Sequence, residues 1–578
     1  MKKGFILAAA ALTAILCSCS HRLKDGEYTL TVLSTNDVHS TWFDSTYVGN
    51  GIKKSLFAMN HYIDSVRKAD GAENVLLVDA GDCLQGDNAA YYYNYIDTLS
   101  PHLFPRLLEY MKYDCVAMGN HDIETGHPVY DRVQKDLVKA GSPFLAGNVI
   151  RTDNGKPYFP LYKIVKKAGL KIAVIGYNNA NIKAWLSEEL WSGMDFVPIK
   201  DIIQRDVDYV REKEHPDVMV AAMHSACGHG DGTILEAEAL DAFNSVRGVD
   251  WIICGHDHRP YVETRDTSAL LNSGSHSRFV AHGKMHLSVK DGAIVKKTFE
   301  TDLIPVKAEM ADPVMRAHFQ KEFKAVRAFT KQEVGILNTR IRTRDAYAGM
   351  CDYMNLIHTL SIRQKPAQIS IAAPLTYNGT VEPGVLIFND LFTLYPFENQ
   401  LYVIRMTGKE LTAFLEASYD RWIQNGQDHV LKIVPRDNPR TQQRGWSFTG
   451  QSYNFDSAAG INYTVDVTRP FGERVKVSSL ANGEPFVPEQ EYNVAMTSYR
   501  ASGGGGLLKE AGVDTDRIDE RVVARYPEIR NLLYDYLMEN GSIDPEVIGD
   551  KRIIGQWSFV PEQGAKRIRE DLKLMFGE

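Results

Sequence analysis

Five short clusters of acidic, amide and imidazole residues crowd the first 260 residues of this chain: Asp37 with His39, Asp82, Asn120 with His121, His224, and His256 with His258. Oxygen and imidazole donors without thiolate suit borderline divalent cations such as zinc, manganese, iron or cobalt. An Asp and a His two apart in an extended segment point to the same side, so Asp37 and His39 can reach one cation. His256 and His258 repeat that spacing. Gly81 lets the chain turn so that Asp82 protrudes, and a carboxylate with two oxygens can bridge two ions. Two ions about 3.5–4 Å apart are the usual apparatus for in-line displacement at phosphorus. Taken singly, each cluster is an ordinary strand-to-loop corner. Their recurrence at one sheet edge is the argument for one dinuclear site.

The elements that must carry these residues are apolar runs of strand length: 30–34, 74–78, 114–118, 144–145, 171–175, 217–223 and 250–254. Five of the seven end in one of the polar clusters. From Tyr28 to about Pro305 the runs alternate with helix-period stretches, as a layered α/β fold requires. Strand ends of this kind present side chains to a crevice.

At 578 residues and 44% hydrophobic, the chain is long and apolar enough for two sizeable cores. Met315, Phe319, Phe323 and Val326 recur at helical spacing within 312–334, behind Asp312-Pro313, and predict one amphipathic helix, either a connector between two domains or an ordinary surface helix of the first. Beyond Gly335 a second α/β pattern follows: helix 346–360, strand 368–372, helix 407–419, then β-rich segments to about Met496. Two stretches there look like ligand apparatus. One is Tyr395-Pro396-Phe397-Glu398-Asn399; the other is Tyr499 ahead of the glycine run 503–506. Aromatic faces from two loops can sandwich a nucleobase, each stack contributing roughly 1–3 kcal/mol, and glycines permit close approach. Taken alone the stretches read rather as core aromatics and a plain turn, and it is the metal-type clusters of the first domain that favour the clamp.

The segments TNDVHS (35–40), GDCLQG (81–86), GNHD (119–122), MHSACG (223–228) and GHDH (255–258) resemble, in order and spacing, the calcineurin-like metallophosphatases of the 5′-nucleotidase family. The resemblance implies a four-layer α/β/β/α metallophosphatase domain over 28–305, an interdomain helix over 306–335 and an α/β nucleotide-binding C-terminal domain over 336–578. It implies that Asp37, His39, Asp82 and His258 hold one metal ion and that Asp82, Asn120, His224 and His256 hold the other. His121 matches the family's catalytic histidine, which faces the phosphate and leaving group. Where the family pairs that His with an Asp three residues on, this chain has Glu124.

Within the family, the Ala372-Ala373-Pro374 segment, YNFD (453–456) with GINYTVDVT (460–468), and SYRASGG (498–504) look like the bacterial 2′,3′-cyclic-nucleotide 2′-phosphodiesterase/3′-nucleotidase branch. The NGGGxR segment of 5′-nucleotidases is replaced here by 371–375. Two features depart from that branch reading. PFEN (396–399) is closer to the 5′-nucleotidase aromatic turn, which leaves Tyr395 and Phe397 both candidates to stack the base, with Asn399 and Tyr499 beside them. Gly505 stands where 5′-nucleotidases have an Asp. The implied activity is hydrolysis of 2′,3′-cyclic nucleotides to 3′-nucleotides, then to nucleosides and phosphate, with a hydroxide held between two metal ions as the nucleophile. The alternatives are a 5′-nucleotidase or UDP-sugar hydrolase of the same family, and a non-catalytic, lipid-anchored nucleotide-binding protein. The complete ligand set argues against the last.

Lys2 and Lys3 followed by an apolar run from Phe5 to Leu16 read as an export signal over 1–18, since the run is shorter than the ~20 residues of a membrane span. Leu16-Cys17-Ser18-Cys19 resembles the bacterial lipoprotein signal, which makes Cys19 the expected lipidated residue and 19–27 an anchor linker; a cleaved soluble signal is the alternative. The expected location is a bacterial cell envelope, attached by lipid and facing the periplasm or the outer surface. A net charge of −8 without a basic tract argues against long nucleic acids as partners; nucleotides are the expected ligands and a monomer the expected state. Cys83, Cys115, Cys227, Cys254 and Cys351 contain no CxxC and are odd in number, which is neither a disulfide framework nor a thiolate zinc site. Buried thiols fit best, with a Cys227–Cys254 bridge left open.

Overall fold

Strands buried on both faces read as near-continuous apolar runs, and Val75–Asp79 and Val218–Met223 are buried at every position. The computed structural model describes residues 23–426, 428–437 and 444–577, so the proposed signal and Cys19 lie outside the described residues. All seven apolar runs are strands. They fall into two six-stranded sheets. The first runs Ala293–Pro305, Phe279–Lys290, Gly26–Thr35, Val75–Asp79, Cys115–Ala117, Phe144–Leu145. The second runs Pro260–Thr264, Ala269–Ser273, Trp251–Cys254, Val218–Met223, Leu170–Tyr177, Tyr162–Lys167.

Leu30, Val32, Leu76, Val174, Val220, Trp251 and Met285 pack between the sheets. The outer face of the first sheet packs on helices Leu56–Asp70, Leu103–Met111 and His127–Ala140. The outer face of the second packs on Ile199–Glu214 and Ala239–Ser245. The result is the four-layer α/β/β/α arrangement. The central strands are parallel, so their C-terminal ends, and the polar clusters that follow them, share one edge.

The single connecting helix expected over 312–334 is two helices, Pro313–His318 and Gln320–Thr330. Asp312 caps the first by accepting from the Val314 and Met315 amides, and Phe319, at φ −99° and ψ 18°, breaks the run. Met315, Phe319 and Val326 sit in the first domain's core, whereas Phe329 belongs to the second's.

The second domain is built on a five-stranded sheet in the order Ser457–Ala459, Ile369–Ala372, Glu491–Thr497, Gln400–Thr407, Val522–Glu528. Helix Gly408–Trp422 covers one face; Asp352–Arg363 and Ile529–Asn540 cover the other. Thr407 and Glu410 close a capping box at the start of the first of these helices. No helix among the described residues is long and apolar enough to cross a membrane.

Candidate active site

The polar clusters meet because backbone hydrogen bonds knit neighbouring strand ends together. The Asp37 amide donates to Gly81 O at 2.9 Å and the His39 amide to Asp82 O at 3.0 Å. Asp37 and His39 do not share an extended segment, as their spacing suggests. They lie in a loop at φ 48° and 43°, and Asp82, His256 and His258 are left-handed as well, at 60°, 77° and 59°. Five proposed ligands in a region that non-glycine residues rarely adopt are held there by their surroundings, a concentration of local strain typical of functional sites. The turn at Gly119 has no room for a side chain, since a Cβ there would fall 2.2 Å from Asp82 Oδ1.

Two donor groups result. Asp37, His39 and His258 form one, and Asp82, His224 and His256 the other; within each group the donor atoms lie within 4.8 Å of one another. His39 Nε2 and His258 Nε2 face each other at 2.9 Å, and Asp37 Oδ1 is 3.5 Å from His258 Nε2. Asn120 joins the second group, its Oδ1 lying 3.0 Å from His224 Nε2 and 2.9 Å from His256 Nδ1. His224 Nδ1 donates to Ala80 O at 2.7 Å, which turns Nε2 towards the cluster. Converging donor atoms of this kind, nitrogen and oxygen only, fit divalent cations. Asp82 lies with the second group, its Oδ2 being 3.0 Å from His224 Nε2, while its Oδ1 accepts the His121 amide at 2.8 Å.

The electrostatics follow from burial and from this crowding. Burial pushes the His39 and His256 imidazoles down to about 3. Burial would raise Asp82, but His224 and His121 hold it well below the usual carboxylate range. His121 responds in the opposite sense: burial would lower it, but Glu124 and Asp82 lift it up to about 10. The Glu124 carboxylate lies 2.5 Å from His121 Nδ1, so the longer side chain at that position still reaches the imidazole.

Several further residues complete the site. Asp122 accepts four backbone N–H groups, from Asp82, Cys83, Leu84 and Gly119, at 2.9–3.0 Å. Asn36 joins Asp37 to Gly274. Trp185 stacks on His256 with 5.1 Å between ring centroids. His276 stacks on His39 at 5.0 Å; it follows strand Ala269–Ser273, another apolar run ending in polar residues, and that pattern was available to find it. The Cys227 and Cys254 thiols lie 3.7 Å apart without a bridge, and the five cysteines among the described residues are free.

In the second domain, Tyr395 is 1% exposed and packs in the core, so it is not available to a ligand. Asn399 Nδ2 lies 3.5 Å from the Tyr395 hydroxyl. Phe397 is half-buried and lines a cavity of about 540 Å³ with Leu375, Asn389, Phe392 and Pro396. Tyr499 is half-buried on the short helix Ser498–Ala501, which packs against first-domain helix Ile182–Trp185, the segment carrying Trp185. Among the described residues no aromatic ring stacks on Phe397 or Tyr499. Arg500, 3% exposed, pairs with Asp456 at 2.8 Å and donates to Tyr453 O and Gly504 O, tying the YNFD segment to the glycine loop. A Cβ on Gly504 would fall 2.5 Å from the Tyr499 ring.

A layered phosphoesterase-type domain with a paired donor cluster at its strand ends defines a metallophosphatase. Residues 30–260 match the calcineurin-like phosphoesterase family, and residues 326–510 match the 5′-nucleotidase C-terminal domain. The chain therefore belongs to the calcineurin-like metallophosphatases of the 5′-nucleotidase family, and it is a phosphoric ester hydrolase.

It is 25% identical to a 2′,3′-cyclic-nucleotide 2′-phosphodiesterase/3′-nucleotidase of Haemophilus influenzae, over 98% of this chain and 93% of that protein. It is 24% identical to a 5′-nucleotidase of Vibrio vulnificus, over 90% and 95%. It is also 24% identical to the trifunctional nucleotide phosphoesterase YfkN of Bacillus subtilis, over 93% of this chain and only 39% of that longer protein. Among solved structures, a putative 5′-nucleotidase of Staphylococcus aureus shares the fold, with a TM-score of 0.74 and 22% identity over 92% of this chain and 99% of the other.

Proposed function

We propose that this chain hydrolyses 2′,3′-cyclic nucleotides to 3′-nucleotides and then to nucleosides and phosphate. The observation that carries the reading is the position of His121: its backbone is held by Asp82 of one donor group, its imidazole is held by Glu124, and its ring lies 5.4 Å from that of His39 in the other group. Asp37, His39 and His258 would hold one divalent ion and Asp82, Asn120, His224 and His256 the other, with Asp82 also reaching the first. Bound there, such ions supply Lewis acidity to the phosphate and acidify a water.

The chain's own residues do the rest. Glu124 accepts the Nδ1–H of His121, so a protonated imidazole presents its Nε2–H to the leaving oxygen. In the first step the bond from phosphorus to O2′ breaks, water oxygen joins phosphorus, and O2′ receives a proton. In the second the bond to O3′ breaks in the same way and releases the nucleoside. Phe397 and Tyr499 would stack on the base, with Asn399 beside Phe397.

The residues at 372–374 and 498–504 favour the cyclic-nucleotide branch over the 5′-nucleotidase branch. The PFEN turn at 396–399 is the feature that favours the second reading, a 5′-nucleotidase. Initial rates on 2′,3′-cyclic AMP, 5′-AMP and UDP-glucose, measured side by side on protein reloaded with manganese, zinc or cobalt, separate the two. The highest kcat/KM is expected on the cyclic nucleotide; a preference for 5′-AMP would overturn the substrate assignment and leave the metal site standing. We further propose export and lipid attachment through Cys19 on the strength of Leu16-Cys17-Ser18-Cys19. Loss of labelled fatty acid from a Cys19→Ala protein is the expected result, and undiminished labelling would refute it.

A further inference from the structure

Arg530 lies beyond residues 326–510, the part of the second domain that matches the family. It is also among the most completely buried large side chains of the molecule, at 1% exposure. A buried guanidinium persists only where its donors are met, and its surroundings show how. Nε donates to Tyr395 O at 3.0 Å and Nη2 to Pro396 O at 2.7 Å. Nη1 lies 3.5 Å from Glu398 Oε1. The preceding amide, Ile529 N, donates to Asn399 O at 3.0 Å. Three carbonyls of the 395–399 turn are thus held by two consecutive residues, and the half-buried Phe397 stands between the held positions.

The same guanidinium touches both domains. It lies 3.8 Å from the centre of the Phe392 ring, in the second domain, and 5.4 Å from that of Tyr91, in the first. The Tyr91 hydroxyl donates to Asn531, the next residue along. Neither a lysine nor a neutral side chain reproduces this, because two carbonyls and two rings are met at once by a planar, forked cation.

We infer that Arg530 is a positioning residue for the nucleobase end of the site: it fixes the 395–399 turn so that Phe397 is presented to the base, and it ties that turn to the first domain through Tyr91. The inference rests on the reading of Phe397 as a base-stacking residue.

The test uses the full, metal-loaded chain and two substrates, 2′,3′-cyclic AMP and bis(p-nitrophenyl) phosphate, which has no base. Phe397→Ala is expected to raise the nucleotide KM about tenfold, the size of one lost stack. Arg530→Lys is expected to raise it to a similar extent, with kcat/KM on the chromogenic ester within about twofold of wild type. The double variant should show little further rise, since both changes remove one interaction. Ile529→Pro removes the amide bond to Asn399 O at the first position of a helix, where proline is tolerated, and shortens a side chain buried in the second domain's core, so its effect is read as the nucleotide KM relative to that of the chromogenic ester. It should raise the nucleotide KM by a smaller factor and serves if Arg530→Lys fails to fold. An unchanged nucleotide KM in Arg530→Lys or Ile529→Pro, beside a raised one in Phe397→Ala, overturns the role of Arg530 and leaves the stacking reading intact. An unchanged KM in Phe397→Ala overturns the stacking reading and the inference with it.

Discussion

The Asp122 carboxylate accepts the backbone N–H of Asp82 at 3.0 Å, so a residue outside the donor cluster fixes the one proposed to bridge its two halves. Three further N–H groups converge on the same carboxylate. Four donors satisfied by one buried side chain make the corner between strand Val75–Asp79 and Gly119 a rigid unit, and that rigidity places Asp82.

An Asp122→Asn substitution replaces one of the two accepting oxygens with a donor that faces backbone N–H groups. Metal affinity should fall by about 10–100-fold, the usual cost of losing a supporting partner of a ligand. Competition with a chelator, read by metal analysis of the recovered protein, measures this. Unchanged metal retention would show that the Asp122 network does not govern the centre.

Glu124 raises the tendency of His121 to hold a proton. In the proposed mechanism the acid form protonates the leaving oxygen, so activity is expected to be lost as pH rises through the His121 value. Glu124→Gln removes the raising charge, and the alkaline limb of kcat should therefore move to lower pH, with kcat at neutral pH reduced about 10- to 100-fold. A pH–rate profile that keeps its alkaline limb in place would argue against this pairing.

Tyr499→Ala should raise KM for 2′,3′-cyclic AMP about tenfold, as expected for one lost base stack, while bis(p-nitrophenyl) phosphate is turned over as before. Equal losses on both substrates would mean that Tyr499 supports the glycine loop rather than the base.

His358 gives a stability test away from the site. It is buried between Ser370 and Ser457, and burial pushes its imidazole down to about 3 from an ordinary value of 6.5. Above pH 6.5 it is neutral in both the folded and the unfolded chain and contributes no pH dependence. As pH falls from 6.5 towards 3, the unfolded chain takes up a proton that the folded chain refuses, and stability drops by up to about 1.4 kcal/mol per pH unit. Thermal midpoints between pH 6.5 and 4.5 should fall less steeply in His358→Gln than in the wild type. Parallel curves would remove His358 from the acid sensitivity.

The donor residues were legible in the sequence because metal chemistry admits few side-chain types and each cluster follows an apolar strand. The left-handed backbone at Asp37, His39, Asp82, His256 and His258 was not legible. Those angles are imposed by contacts between distant segments, such as His39 N to Asp82 O. The hairpin Phe279–Lys290 with Ala293–Pro305 escaped for a similar reason: its outer strand alternates exposed and half-buried positions and has no apolar run. In the second domain the Tyr395-to-Asn399 stretch stood out by composition, but only burial separates Tyr395, a core residue, from Phe397. Arg500 and Arg530 were invisible because an arginine is ordinarily a surface residue, and their carbonyl partners lie at least one loop away in sequence, apart from Gly504.

The central claim is that a two-ion centre served by His121 cleaves nucleotide phosphoesters. A chromatographic time course with 2′,3′-cyclic AMP on chelated and on metal-reloaded full-length protein tests it most directly. The account predicts no turnover after chelation, and on reloading the appearance of 3′-AMP followed by adenosine, with both products lost in His121→Ala by at least about 100-fold. Reloaded protein that holds two ions and binds the nucleotide yet releases neither product would contradict it.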